Sequence, residues 1–257
     1  MRKPKLNLSI LNPAARRIFT ALAELPNASA FTLIGGTALS LQISHRISND
    51  LDFGVFSERL PTQKVDNLAE TLKAEGHSVN LITDTSKISV FKINTGENLL
   101  NFARDYSVDK VKITFFAHGR NEQQRSFYRK TPTVVSSKVS FPILGIEGLK
   151  TAKTLVLADR ARSRDLFDLM ILMRDYGFSI AEALAIAENL GINNDPEYYK
   201  AVMTGKIPLD EEDEGLATVS VTTPINKIYG FFEKAVEQYE ISVAADYWRK
   251  FKPNRLP

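Results

Sequence analysis

The chain contains no cysteine, which excludes disulfides, thiolate nucleophiles and Cys-ligated zinc. Its three histidines, His45, His77 and His118, are far apart in sequence and offer little for a His-rich metal site. No apolar run approaches the roughly 20 residues of a membrane span. The basic opening MRKPKLNLSI lacks the apolar stretch of a signal peptide. These absences predict a soluble, cytoplasmic protein with no membrane partner. A large charge of one sign is also missing. The net charge is +3, so any affinity for nucleic acid must come from local patches.

What is present suits two packed subdomains. The chain has 257 residues, of which 44% are hydrophobic, enough for a sizeable core. Periodicity and turn signals predict helices over Pro13–Leu25, Thr37–Ile43 and Pro61–Ala74. Strands are expected at Phe31–Ile34, Leu51–Phe56, Val79–Ile82, Lys87–Asn94, Asn98–Ala103 and Lys110–Ala117. Gly119–Thr133 reads as a polar loop. From Glu147 onward the pattern is helical: Glu147–Ala158, Arg164–Tyr176, Ile180–Leu190, Pro196–Thr204 and Pro224–Phe251. The acidic Leu209–Gly215 segment reads as an exposed loop. The expected architecture is therefore α+β, with a strand-rich α/β subdomain over 1–145 and a helical subdomain over 146–257 that completes a cleft.

The chemistry concentrates in Phe31–Phe53, FTLIGGTALSLQISHRISNDLDF. Gly35 and Gly36 follow a short apolar run, where backbone N–H groups at a helix start can approach a phosphate closely. Asp50 and Asp52 stand two apart, so an extended chain places both carboxylates on one side and sends Leu51 and Phe53 to the other. Paired carboxylates repel unless a cation lies between them, and Mg²⁺ prefers oxygen ligands. The two halves together read as a site for a metal-bound nucleoside triphosphate. Ser48 and Asn49 are turn formers or phosphate contacts, and His45-Arg46 reads as support for the turn. Further on, Lys153 and Arg160 lie two helical turns apart and are predicted to face one way, the first as a mobile charge and the second as a bidentate clamp. Arg164-Asp165 opens the next helix, where the dipole favours a carboxylate. Asp168 follows one turn later, as a further site group or as a partner of Arg164.

GGTAL, HRISNDLDF and the series Lys153, Arg160, Arg164-Asp165, Asp168-Leu169 resemble the AbiEii/AbiGii-type nucleotidyltransferase toxins of abortive-infection systems. The resemblance spans about Ile34 to Leu169. It implies a polymerase-β-like nucleotidyltransferase core of mixed sheet and flanking helices, followed by the helical subdomain. It implies an Mg²⁺-dependent toxin of a toxin–antitoxin or phage-defence system, transferring NMP from NTP to RNA, with the tRNA 3′ end an acceptor, and a separately encoded antitoxin as partner. Asp50, Asp52, Lys153 and Asp165 are then the catalytic set, with Asp50 and Asp52 on the metal. Gly35, Gly36, Thr37, Ser48, Arg160 and Arg164 bind nucleotide.

One position departs from the family pattern. Members often carry a third acid on a later strand, and here that strand reads Val111-Lys112-Ile113-Thr114-Phe115. Thr114 leaves several readings: a one-metal or substrate-assisted reaction, replacement by Asp165, a shifted alignment in which Asp105 or Asp109 serves, or an inactive protein. Replacement by Asp165 is preferred. The alternative function is a catalytically weakened homologue that binds nucleotide or RNA without transfer. Two basic-aromatic stretches, Arg120–Lys130 and Tyr247–Arg255, read first as a surface loop and a docked terminal helix, and second as RNA contacts.

Overall fold

The computed structural model describes residues 6–192 and 195–251. They form two compact units whose boundary falls between Leu149 and Lys150, four residues later than the expected one.

The first unit is built on a mixed seven-stranded sheet in the order β3 (Val79–Leu81), β4 (Ala103–Val108), β5 (Val111–Ala117), β2 (Leu51–Val55), β1 (Thr32–Ile34), β7 (Ile143–Leu144) and β6 (Thr133–Val134). Helix α1 (Pro13–Glu24) starts where Asn12 accepts from the Ala15 N–H, with Pro13 in the first turn. It buries Ile18, Phe19 and Leu22. Strand β1 (Thr32–Ile34) leads directly into α2 (Gly35–Ile43). Strand β2 (Leu51–Val55) alternates as its sequence demands: Leu51 and Phe53 are buried and Asp52 is half-buried. Phe53 lies at the centre of an aromatic cluster, stacked on Phe115 at 5.5 Å and edge-on to Phe141 at 5.0 Å. Burying such a ring stabilises by about 1.5–3 kcal/mol, and this fixes which face of β2 Asp52 must take. Helix α3 (Thr62–Ala74) buries Val65, Leu68 and Leu72 and is followed by β3 (Val79–Leu81).

Several elements differ from expectation. Lys87–Asn94 is not a strand but part of helix α4 (Thr85–Thr95), because Asp84 caps its start through the Ser86 N–H and Gly96 closes it with φ +75°. None of its residues is buried, so the alternation there reflected no core face. Asn98–Ala103 is a 3₁₀ turn (Leu99–Asn101) capped by Asn98, and strand β4 runs instead over Ala103–Val108. It pairs antiparallel with β5 (Val111–Ala117) through a hairpin whose turn residues, Asp109 and Lys110, both have positive φ. Hairpin turns of that kind usually carry Asn-Gly or Asp-Gly, so Asp-Lys concealed this one. The expected Gly119–Thr133 loop holds helix α5 (Glu122–Lys130), capped by Asn121 through the Gln124 N–H. Strands β6 (Thr133–Val134) and β7 (Ile143–Leu144) are too short to carry a periodic signal.

The boundary between the units falls within helix α6 (Ile146–Leu155). The second unit continues with a 3₁₀ turn (Val156–Ala158) and helices α7 (Ser163–Asp175), α8 (Ile180–Leu190), α9 (Pro196–Met203) and α10 (Ile225–Phe251). A capping box at Ser179 and Glu182 starts α8. Helix α10 packs on α7, α8 and α9 and buries Ile228, Phe232 and Val236. No helix among the described residues is long and apolar enough to cross a membrane.

Candidate functional site

Strand pairing brings the glycine turn and the acidic strand together. β1 and β2 are antiparallel with Ile34 opposite Asp52, so Gly35 follows directly beside that carboxylate. Gly35 has φ +72°, and a Cβ there would lie 2.9 Å from Asp52 Oδ2. A Cβ at Gly36 would collide with Arg46 Nη2. Gly35 is thus favoured by its backbone angle, and a methyl at either glycine would push aside the end of a side chain, the Asp52 carboxylate in the first case and the Arg46 guanidinium in the second. Arg46 is 9% exposed and donates from Nη1 to the Ile47 carbonyl at 3.2 Å. The sequence marked it as a support of the turn. Its position against Gly36 had no sequence signal.

Thr37 and Ser48 are buried. The Thr37 hydroxyl donates to the Asp50 carbonyl and lies 2.5 Å from Ser48 Oγ. Both hydroxyls therefore join the start of α2 to the segment that carries Asp50. Asp50 and Asp52 are half-buried. Among the described residues no group of three or more His, Cys, Asp or Glu side chains could hold a metal. Two carboxylates nevertheless suit Mg²⁺, which keeps several waters and usually takes one or two protein carboxylates with substrate phosphates. The missing Cβ at Gly35 leaves room at Asp52 Oδ2. The donor set fits such a cation.

On the far side of β2, β5 runs parallel with Asp52 opposite Thr114. Thr114 therefore stands in the row where a third acid was expected. Its hydroxyl donates to Asp105 Oδ1 at 2.8 Å across the β4–β5 ladder. Asp109 is placed elsewhere, in the hairpin turn, where it meets His77 Nδ1 at 2.8 Å and accepts from the Ser78 N–H at 2.9 Å. The His77 contact, with help from Ser78, holds the Asp109 carboxyl below its ordinary range.

Lys153, Arg160, Arg164 and Asp165 belong to the second unit. Lys153 and Arg160 do not share a helix as expected, since α6 ends at Leu155 and Arg160 follows the 3₁₀ turn. They still converge on one carboxylate. Lys153 Nζ lies 2.6 Å from Asp165 Oδ1 and 2.6 Å from Asp168 Oδ2, and Arg160 Nε lies 2.8 Å from Asp165 Oδ2. Burial pushes the Asp165 carboxyl up, but the charges of Lys153 and Arg160 outweigh that and hold it below its ordinary value. Asp165 is thus a stabilised anion. Arg164 pairs with Glu214, not Asp168. That contact belongs to the Leu209–Gly215 loop, which is anchored and not merely solvated: Asp213 accepts from the Ser163 N–H and Oγ, and Arg162 reaches Glu212 at 3.2 Å.

The first basic-aromatic stretch is a helix and not a loop. In α5, Arg125 and Arg129 pair with Glu122, and Tyr128 is buried against Phe56. At the end of α10, Tyr247 and Trp248 are exposed, while Lys252 and Arg255 lie outside the described residues.

Residues 17–235 match the family described as nucleotidyl transferase AbiEii toxin of a type IV toxin–antitoxin system. The match makes the chain a nucleotidyltransferase. It belongs to the AbiEii family of type IV toxins. An uncharacterised protein of Aquifex aeolicus (strain VF5) is 20% identical over 229 residues, covering 89% of this chain and 97% of that one. Among solved structures, a provisionally assigned nucleotidyltransferase from H. pylori is 20% identical, with a TM-score of 0.47, 88% of this chain covered and 92% of the other. MenT4, a nucleotidyltransferase toxin of Mycobacterium tuberculosis H37Rv, is 14% identical, also with a TM-score of 0.47, covering 87% of this chain and 84% of its own.

Proposed function

We propose that this toxin is an Mg²⁺-dependent nucleotidyltransferase that moves NMP from an NTP to a hydroxyl of RNA, the tRNA 3′ end being the favoured acceptor. The observation that carries the reading is Gly35 seated against Asp52, a phosphate-type turn in contact with a strand carboxylate. In this reading Asp50 and Asp52 hold the cation. Gly35 and Gly36 let the chain approach the triphosphate, and Thr37 and Ser48 fix the turn through their hydroxyls. When bound, the cation would neutralise phosphate charge and acidify the attacking hydroxyl. The acceptor hydroxyl gives its proton to solvent and its oxygen bonds to the α-phosphorus as the bond to pyrophosphate breaks, so the protein contributes positioning and fixed charge.

Lys153, Asp165, Arg160 and Arg164 join the proposed set on motif order. Lys153 is engaged by two carboxylates, those of Asp165 and Asp168. Asp165, held as an anion by two cations, is a weak proton acceptor, so we assign it to poising Lys153 in preference to general-base work. The toxin would act in the cytoplasm, where NTPs and tRNA are found, in a phage-defence setting and against a separately encoded antitoxin.

Thr114 beside Asp52 favours a second reading, nucleotide or RNA binding without transfer. Incubation with each labelled NTP, Mg²⁺ and total RNA separates the two. Labelled RNA that disappears with Asp52→Asn, in a protein that stays folded, supports transfer. Bound NTP with no labelled RNA selects the second reading. NTP affinity indifferent to Mg²⁺ in the wild type would sink the metal assignment.

A further inference from the structure

The sheet carries a second carboxylate in the row of Asp52, one strand beyond Thr114. Asp52, Thr114 and Asp105 are consecutive register partners across β2, β5 and β4, and partners in register share one face. Residues on that face alternate with buried ones: Ile113 and Phe115 on β5 and Tyr106 on β4 point to the core. Asp105 is steadied from several sides. Its backbone N–H donates to Thr83 Oγ1 at 2.9 Å, and its Oδ2 lies 3.7 Å from Lys112 Nζ.

A hydroxyl has one proton and two lone pairs. The Thr114 proton goes to Asp105 Oδ1, so Thr114 Oγ1 presents only acceptor character to its other neighbours. An acceptor hydroxyl in line with a carboxylate, itself acceptor-only, defines a place for a donor, and water bound to a divalent cation is such a donor. We propose that Thr114 and Asp105 act as one unit in place of a third acidic ligand: Asp105 is a positioning residue that takes the Thr114 proton, and Thr114 Oγ1 accepts from the hydration shell of a cation held at Asp50 and Asp52. The proposal rests on the metal-site reading above. It also accounts for the threonine without making the site degenerate.

The test is the affinity for Mn²⁺, a paramagnetic stand-in for Mg²⁺, in the presence of a non-cleavable α,β-methylene nucleoside triphosphate, followed through the free-Mn²⁺ resonance. Thr114→Val keeps the β-branched shape and removes the hydroxyl. It and Asp105→Ala should each weaken Mn²⁺ by about tenfold, the usual scale for a group that orients a ligand. The double variant should be no weaker than either single one, because the two act as a unit. Thr114→Ser should restore affinity, and Asp105→Asn, whose amide oxygen still accepts from Thr114, should stay within about threefold of wild type. If Asp105→Ala proves unstable in urea, Thr114→Val and Asp105→Asn carry the comparison. Single variants within twofold of wild type, or a double variant equal to the product of the singles, overturn the proposal. Should Asp52→Asn leave Mn²⁺ affinity unchanged, the underlying metal site fails, a result distinct from failure of the Asp105–Thr114 unit alone.

Discussion

Gly35 meets two demands at once, a left-handed backbone and the near approach of a carboxylate, and a matched control separates them. Gly76 also has positive φ, +93°, but nothing lies within 4 Å of where its Cβ would be. Alanine at either site forces an unfavourable conformation costing about 1–2 kcal/mol. Gly76→Ala should therefore lower stability by about that amount and leave Mg²⁺-dependent NTP binding alone. Gly35→Ala should lower stability at least as much and weaken that binding tenfold or more, because its methyl displaces Asp52. Urea denaturation and NTP titration with and without Mg²⁺ check both, and equal binding by the two variants refutes the assignment of Gly35. The glycines and aspartates were legible in sequence because each answers a local rule, conformational freedom in one case and strand alternation in the other. Arg46 and Asp105 were marked in sequence, the first as a support of the turn and the second as one stand-in for the missing acid, but their contacts with Gly36 and Thr114 were not. Their contacts reach along the turn and across a ladder, and neither residue type is unusual where it stands.

At the scale of elements, α7 depends on a distant residue for its start. Arg162, at its N-cap, makes no side-chain cap bond, and Asp213 supplies the acceptor for the Ser163 N–H at 3.1 Å. Loss of a capping acceptor costs about 1 kcal/mol. Asp213→Ala should lower unfolding free energy by that much, whereas Asp213→Asn, which retains an acceptor oxygen, should lose only a fraction. Equal losses in urea melts would show that the charge facing the helix dipole matters more than the cap. A loop 50 residues away cannot be paired with a helix start from sequence, and so Leu209–Gly215 read as exposed. The elements that were misread failed for local reasons as well: Asp84 and Gly96 cap a helix whose alternation resembles a strand, and Asp109-Lys110 turns a hairpin without glycine.

Stability of the whole molecule should fall in acid in two stages. Enclosure among Phe56, Phe116 and Tyr128 pushes the His118 imidazole down from 6.5 to about 4, and its Nε2 has no hydrogen-bond partner among the described residues. Folded protein thus keeps His118 neutral while unfolded chains protonate it, so stability falls as pH drops from 6.5 towards 4, by up to about 3 kcal/mol. Asp165 acts lower. Its depressed carboxyl contributes stability above the unfolded value of 3.8, and that contribution is lost as pH falls through the folded one. His118→Phe, which keeps an aromatic ring in the cage, should flatten the profile between pH 6.5 and 4 and leave the drop below it. Urea midpoints across this range decide the matter, and an unchanged slope in His118→Phe would assign the loss to other groups.

The sequence by itself determined the acidic strand, the glycine turn, the helical character of the second half and the family, because alternation, turn chemistry and motif order are properties of neighbours along the chain. Tertiary structure alone decided that Gly35 abuts Asp52, that Thr114 hands its proton to Asp105, and that Lys153 and Arg160 close on Asp165. Those depend on strand register and on burial, which set the distance between charges and the dielectric around them, and neither quantity is encoded by any short stretch of residues.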